Sequence, residues 1–277
     1  SSNFAALVNS CIKTSNGTIS IKNGYYYVNH KIPLLTGTRI IGEGYNTILH
    51  ANFTGATPIF ESYTPSHDVQ IQNIRFEGTG GAAGNNPYAI HMYNSYHNLI
   101  QGCYFNNFSC SVGGAVDPSN AWNNIITENS FVNCNWGIGL TGTADNYGNI
   151  ITNNQFLNCF YSVFGEFPFE TTISNNRIVG STLGMAGIKL AGTYTNKSGN
   201  LIASNTIKMT AANSIGIELM ADGVTYGYNK HISITGNYIK APYTTIRLWG
   251  LADDILISNN ILDGSDHGIL FWTAAST

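Results

Sequence analysis

Charge is what this sequence has least of. Of its 277 residues only 10% are Asp, Glu, Lys or Arg, and the formal net charge is −3. Neither a basic run nor an acidic tail is present, which removes the electrostatic footprint of a nucleic-acid binder. No segment approaches the roughly 20 apolar residues that a membrane-crossing helix needs, so membrane insertion is not expected. The opening SSNFAALVNSCIKTSNGT has no charged region followed by an apolar core and does not read as a signal peptide. After residue 15 no long stretch keeps a helical period. The five cysteines, Cys11, Cys103, Cys110, Cys134 and Cys159, follow neither a disulfide framework nor a zinc spacing. Cys134 and Cys159 read as neighbouring buried thiols. Disorder is excluded as well, because 43% of residues are hydrophobic and charge is low.

What is present is repetition. Residues 123–134 read NNIITENSFVNC and residues 148–159 read GNIITNNQFLNC. An apolar pair five residues apart recurs at Ile71/Phe76, Ile100/Phe105, Ile126/Phe131, Ile151/Phe156, Ile173/Ile178, Ile202/Ile207, Ile234/Ile239 and Ile257/Leu262. Asn stands two residues before the second anchor at Asn129, Asn154, Asn176, Asn205, Asn237 and Asn260. A further apolar segment follows each pair: GIGL (137–140), GIKL (187–190), GIEL (216–219), TIRL (245–248) and GILF (268–271), with AIHM (89–92), SVGG (111–114) and SVFG (162–165) in the same slot. Three short strands per repeat, with a period near 25, predict an all-β solenoid. The architecture expected is a right-handed parallel β-helix of about ten coils over 17–277. Ile and Phe columns fill the interior, and asparagines occupy the tight turn between the second and third strands, bonding their counterparts on adjacent coils. Asn suits such a turn because it tolerates left-handed backbone. Residues 1–16, with the amphipathic FAALVNSCIKT, form a short capping helix. The whole chain reads as one domain and a fragment of something longer. Turn insertions at 77–87, 141–149, 191–200 and 220–231 are natural places for function.

The stretch GTISIKNGYYYVNHKIPLLTGTRIIGEGYNTIL (17–49), behind that amphipathic piece, resembles the start of a pectate-lyase-like right-handed β-helix. In its low charge and its wealth of Asn, Gly, Ser and Thr, the chain is most similar to phage tailspike depolymerases. The resemblance implies a polysaccharide substrate or receptor, an extracellular or virion location and a homotrimer. The acidic motifs of polygalacturonases are missing.

Alternation along the Gly-Ile-x-Leu strand separates inward from outward residues. One outward column reads His91, Gly113, Gly139, Phe164, Lys189, Glu218, Arg247 and Leu270. The next reads Tyr93, Ala115, Thr141, Glu166, Ala191, Met220, Trp249 and Trp272. Lys189, Glu218 and Arg247 are then either a cross-strand charge ladder or a substrate site. Trp249 and Trp272 offer aromatic faces to sugar rings, Tyr93 and His91 border them, and Gly113 and Gly139 are expected to leave a shallow groove. Glycoside hydrolysis needs two carboxyl groups. Glu166 and Glu218 form the leading pair, with Asp117, Glu170, Asp145 and Asp222 in bordering turns. The apolar setting GEFPFE (165–170) suits a raised carboxyl pKa. A lyase would instead use Lys189, Arg247, His91 or a tyrosine as base on a uronate. A third reading is a spike that binds without catalysis. No cofactor is expected. Calcium would need an acidic cluster, and Asp253-Asp254 is only a lone pair of acids.

Overall fold

The computed structural model describes residues 8, 17–52, 57–62, 65–80, 88–108, 113–142, 146–180, 185–192, 199–221, 228–264 and 266–272. The chain winds into a right-handed parallel β-helix in which each coil contributes one strand to each of three ten-stranded parallel sheets. The first sheet carries an unbroken interior column: Ile19, Ile40, Ile71, Ile100, Ile126, Ile151, Ile173, Ile202, Ile234 and Ile257. The second carries Tyr26, Leu49, Phe76, Phe105, Phe131, Phe156, Ile178, Ile207, Ile239 and Leu262. Four phenylalanines of that column stack with centroids 4.8–5.0 Å apart, the spacing of paired strands. The third sheet adds Ile32, Phe60, Ile90, Val116, Ile138, Val163, Ile188, Ile217, Ile246 and Ile269. Of the expected cap over 1–16 only Val8 is among the described residues, and it is buried.

Polar groups inside the turns are satisfied by asparagine. Asn129, Asn154, Asn176, Asn205 and Asn237 each donate Nδ2 to the Oδ1 of the next asparagine, ending at Asn260, over 2.9–3.1 Å. Each also donates Nδ2 to a main-chain carbonyl of the preceding coil, as Asn176 does to Ile151 O at 3.0 Å. This turn joins the first and second sheets, one position earlier in the coil than the sequence predicts. The left-handed residue is the one before the asparagine: Glu128, Asn153, Asn175, Ser204 and Asn259 have φ of 55–59°. A second set, Asn98, Asn124 and Asn149, links the turn before the first sheet in the same way, and Asn200 accepts from Thr171 N there. Outside this second turn, His67, Tyr96, Trp122, Tyr147 and Phe169 form a stack of rings 4.8–5.7 Å apart. Cys103, Cys134 and Cys159 are free, buried thiols.

Candidate functional site

The third sheet positions the polar side chains. Its outward column reads Glu61, His91, Asp117, Gly139, Phe164, Lys189, Glu218, Arg247 and Leu270. From Gly139 onward this is the predicted register. One coil departs from it. The strand of the fourth coil is Val116–Ser119, not SVGG, so Asp117 takes the outward place expected of Gly113, and Ser119 the place expected of Ala115. The expected groove is also absent. A Cβ on Gly139 would stand 2.7 Å from Gly114 N and 3.3 Å from Gly113 C. The main chain at 113–114 therefore lies across that position.

Around Asp117 a polar cluster assembles. Asp117 is 1% exposed, covered by Gly113 and Tyr88: a Cβ on Gly113 would meet Asp117 Oδ2 and Tyr88 Cε1, each at 2.2 Å. Thr141 Oγ1 donates to Asp117 Oδ1 at 2.8 Å and Ser119 Oγ at 3.1 Å. Burial still dominates and pushes the carboxyl up from 3.8 to about 7, against those hydrogen bonds and helped by the nearby Glu166 charge. Glu166 ends the strand Tyr161–Glu166 two coils away. It is half-buried, and its carboxyl too is raised by burial, opposed by an N–H of Gly142. On the other side of Asp117, His91 stacks on Tyr88 at 5.3 Å. Its Nδ1 is 3.7 Å from Glu61 Oε1, and Lys31 Nζ reaches Glu61 Oε2 at 3.0 Å. Burial lowers the His91 pKa, against the pull of Glu61. Tyr93, 37% exposed, lies at the edge of this cluster.

Glu218 belongs elsewhere. It is 1% exposed and enclosed by two cations: Arg247 donates Nε to Oε1 at 3.0 Å and also donates Nη2, while Lys189 Nζ stands 3.5 Å from Oε2. The structure therefore makes Lys189–Glu218–Arg247 an ion-paired ladder and does not bring Glu218 to Glu166, because this carboxylate is already matched on both neighbouring coils. Both cations that a lyase would use as base are engaged in the same ladder. Beyond it, Arg247 lies 5.8 Å from the Trp249 ring centroid, and Arg247, Trp249 and Trp272 line a cavity of about 120 Å³. Trp249 and Trp272 are register partners, as the sequence predicts. Glu170 is exposed in its turn, whereas Asp145 and Asp222 lie outside the described residues. Sequence reading gave no weight to Glu61, Ser119 or Tyr88. Glu61 precedes the first anchor pair recognised, so no column reached it.

The ordered sheets and outward clusters define a solenoid of the parallel β-helix class. Within it, the chain belongs to the family whose model, described as the periplasmic copper-binding protein NosD, matches residues 9–222. No curated protein sequence matches the chain. Among solved structures it is similar to an alginate lyase from Paenibacillus sp. str. FPU-7, with 13% identity, TM-score 0.72, and 98% of this chain and 96% of that one covered. It is similar to the Streptococcus pneumoniae surface protein and adhesin PfbA, with 12% identity, TM-score 0.66, and 96% and 95% covered. It is similar also to DFA-IIIase from Arthrobacter chlorophenolicus A6 in complex with GF2, with 13% identity, TM-score 0.60, and 98% and 84% covered. At these identities the likeness is one of fold.

Copper does not fit the described residues. No group of three or more His, Cys, Asp or Glu among them could hold a metal ion. His91 turns Nδ1 to Glu61, and His67 stacks on Tyr96 with Nδ1 on Asp68. The Cys103, Cys134 and Cys159 thiols are in the core and donate to main-chain carbonyls. Burial pushes the Cys103 thiol up to about 12, away from the thiolate that would bind metal.

Proposed function

We propose that this chain depolymerises a polysaccharide by hydrolysis, with Asp117 as general acid and Glu166 as its partner carboxylate. One observation carries the reading: two carboxyls on one face are both raised by burial, and Asp117 reaches about 7 with the Glu166 charge adding to the rise. A general acid works best with a pKa near the working pH, and a pair of carboxyls in unlike settings divides the acid and base roles. Their strands are two coils apart, a rise of about 9–10 Å. That suits the wider separation of inverting enzymes, roughly 6.5–9.5 Å, more than the 5–5.5 Å of retaining ones. Tyr88 and Gly113 cover Asp117 Oδ2, so substrate must displace them to receive the proton. The carbohydrate-active proteins among the similar folds support the substrate class. The periplasmic description of the family favours a location outside the cytoplasm. In the tailspike-like form of this reading the chain is one arm of a homotrimer on a virion, which sedimentation of the purified protein checks.

The test is a panel of bacterial capsular and exopolysaccharides, scored for new reducing ends and for the ultraviolet absorbance of an unsaturated uronate. Hydrolysis gives reducing ends alone. Turnover falls as pH rises past about 7, where Asp117 loses its proton. Asp117→Asn and Glu166→Gln each cost about 10²–10⁴ in rate. One observation favours elimination instead: burial keeps His91 neutral and hence able to accept a proton, beside Asp117 in register. Absorbance together with reducing ends, lost in His91→Ala, would move the chemistry to that residue. Binding with neither signal would make the protein a spike without catalysis.

A further inference from the structure

The cavity at the far end of the third sheet is not explained by the acid pair. Asp117 and Arg247 are five coils apart in the same column, about 24 Å along the axis, so one sugar unit cannot touch both. Three features of the cavity point to a ligand. Its walls are two indoles and a guanidinium, with Trp272 50% exposed. The Trp249 Nε1–H is buried and finds no acceptor among the described residues, so its desolvation is uncompensated in this wall of the cavity. The ladder beneath is not neutral: Lys189 and Arg247 flank a single carboxylate, Glu218, which leaves one net positive charge. Arg247 spends Nε and Nη2 on Glu218, and its remaining N–H groups, without a hydrogen-bond partner among the described residues, suit a planar anion.

We propose that Arg247, Trp249 and Trp272 form a second subsite that binds a carboxylate-bearing sugar unit of the polymer, remote from the acid pair. Trp272 covers the apolar face of the ring, Arg247 takes the carboxylate and Trp249 forms the wall beside them. Glu218 sets the strength of the site: it anchors both cations and at the same time cancels part of their attraction for the ligand. The inference rests on the polysaccharide reading for its substrate class, and it adds that the substrate is acidic and long enough to span the two sites.

Affinity electrophoresis of the full chain through gels containing polygalacturonate, alginate, hyaluronate or neutral dextran tests it. At least one polyuronate should retard the protein about tenfold more strongly than dextran, and the difference should shrink with added salt. Trp272→Ala, a change at an exposed side chain, should weaken that retardation about tenfold. Glu218→Gln keeps the side-chain shape, removes the negative charge and should strengthen it roughly three- to tenfold, with dextran unaffected. The same gels are run with Asp117→Asn, so that loss of turnover and loss of binding are read separately. No retardation by any of the three polyuronates, equal retardation by dextran, or wild-type behaviour of both Trp272→Ala and Glu218→Gln would overturn the subsite. Intact binding without hydrolysis would instead remove the acid-pair reading alone.

Discussion

Replacing Asp117 by Asn should change how stability depends on pH, and by a calculable amount. The carboxyl is fully enclosed, and burial raises it from 3.8 to about 7. Between those values the native protein holds the proton and the unfolded chain does not. Unfolding then releases a proton, so stability falls as pH rises through this window and levels off above about 7. The contribution is complete below pH 3.8 and lost above the folded value. Moving a carboxyl from 3.8 to about 7 corresponds to about 4 kcal/mol. The Asn variant retains a side-chain oxygen to accept from Thr141 and Ser119 but has no proton to lose. Urea unfolding of both proteins at pH 4, 5, 6, 7 and 8 isolates the effect, because Glu166 and His91 titrate in both. The wild-type stability minus that of Asp117→Asn should drop by about 4 kcal/mol across the series. A difference that stays flat would refute the burial argument, and with it the claim that Asp117 enters the reaction protonated.

Two other substitutions test the scaffold. Asn176→Ala removes the acceptor of Asn154 N and Nδ2 and the donor to Ile151 O and Asn205 Oδ1. With each orphaned buried group costing about 1–3 kcal/mol, the loss in urea or thermal unfolding should be about 3 kcal/mol or more. Gly139→Ala places a methyl 2.7 Å from Gly114 N. It should destabilise by about 1–3 kcal/mol as an overpacking change, and it should loosen the cover over Asp117, measurable as faster hydrogen exchange at Gly114.

The interior was legible because a solenoid writes its core as a column. Each Ile or Phe must meet its equivalent on the next coil, and the five-residue spacing survives from Ile71 to Leu262. The first two coils escaped the count because their successive anchors, Ile19 then Tyr26 and Ile40 then Leu49, stand more than five residues apart. The second asparagine set carried a signal that went unread, an Asn two residues before Ile100, Ile126, Ile151 and Ile202. The misplaced strand has a plain reason. Val116–Ser119 contains Asp117 and Pro118, residue types that argue against a strand, while SVGG keeps a β-branched residue in the right place. Pro118 is nonetheless paired with Met92. That four-residue slip put Asp117 in a turn and concealed its enclosure. The charge ladder was legible because register alone aligns Lys189, Glu218 and Arg247. Its consequence for catalysis was not, since only side-chain geometry shows Glu218 enclosed by both cations.

Stacked coils also explain why family membership and chemistry separate here. Interior columns are constrained by neighbours above and below, so they stay Ile, Leu, Val or Phe over many coils. An outward residue meets only its own surroundings, and the third-sheet column changes character from coil to coil: Glu61, His91 and Asp117, then Gly139 and Phe164, then Lys189, Glu218 and Arg247. Such a face can gain or lose a metal site, an acid pair or a sugar subsite without disturbing the core, and a fold by itself does not fix the chemistry it carries. In this chain the outward donors are spent on one another, His91 with Glu61 and Glu218 with two cations, while the described thiols are interior. The proposed acid chemistry and anion binding thus rest on the outward column alone, and the interior columns argue only for the fold.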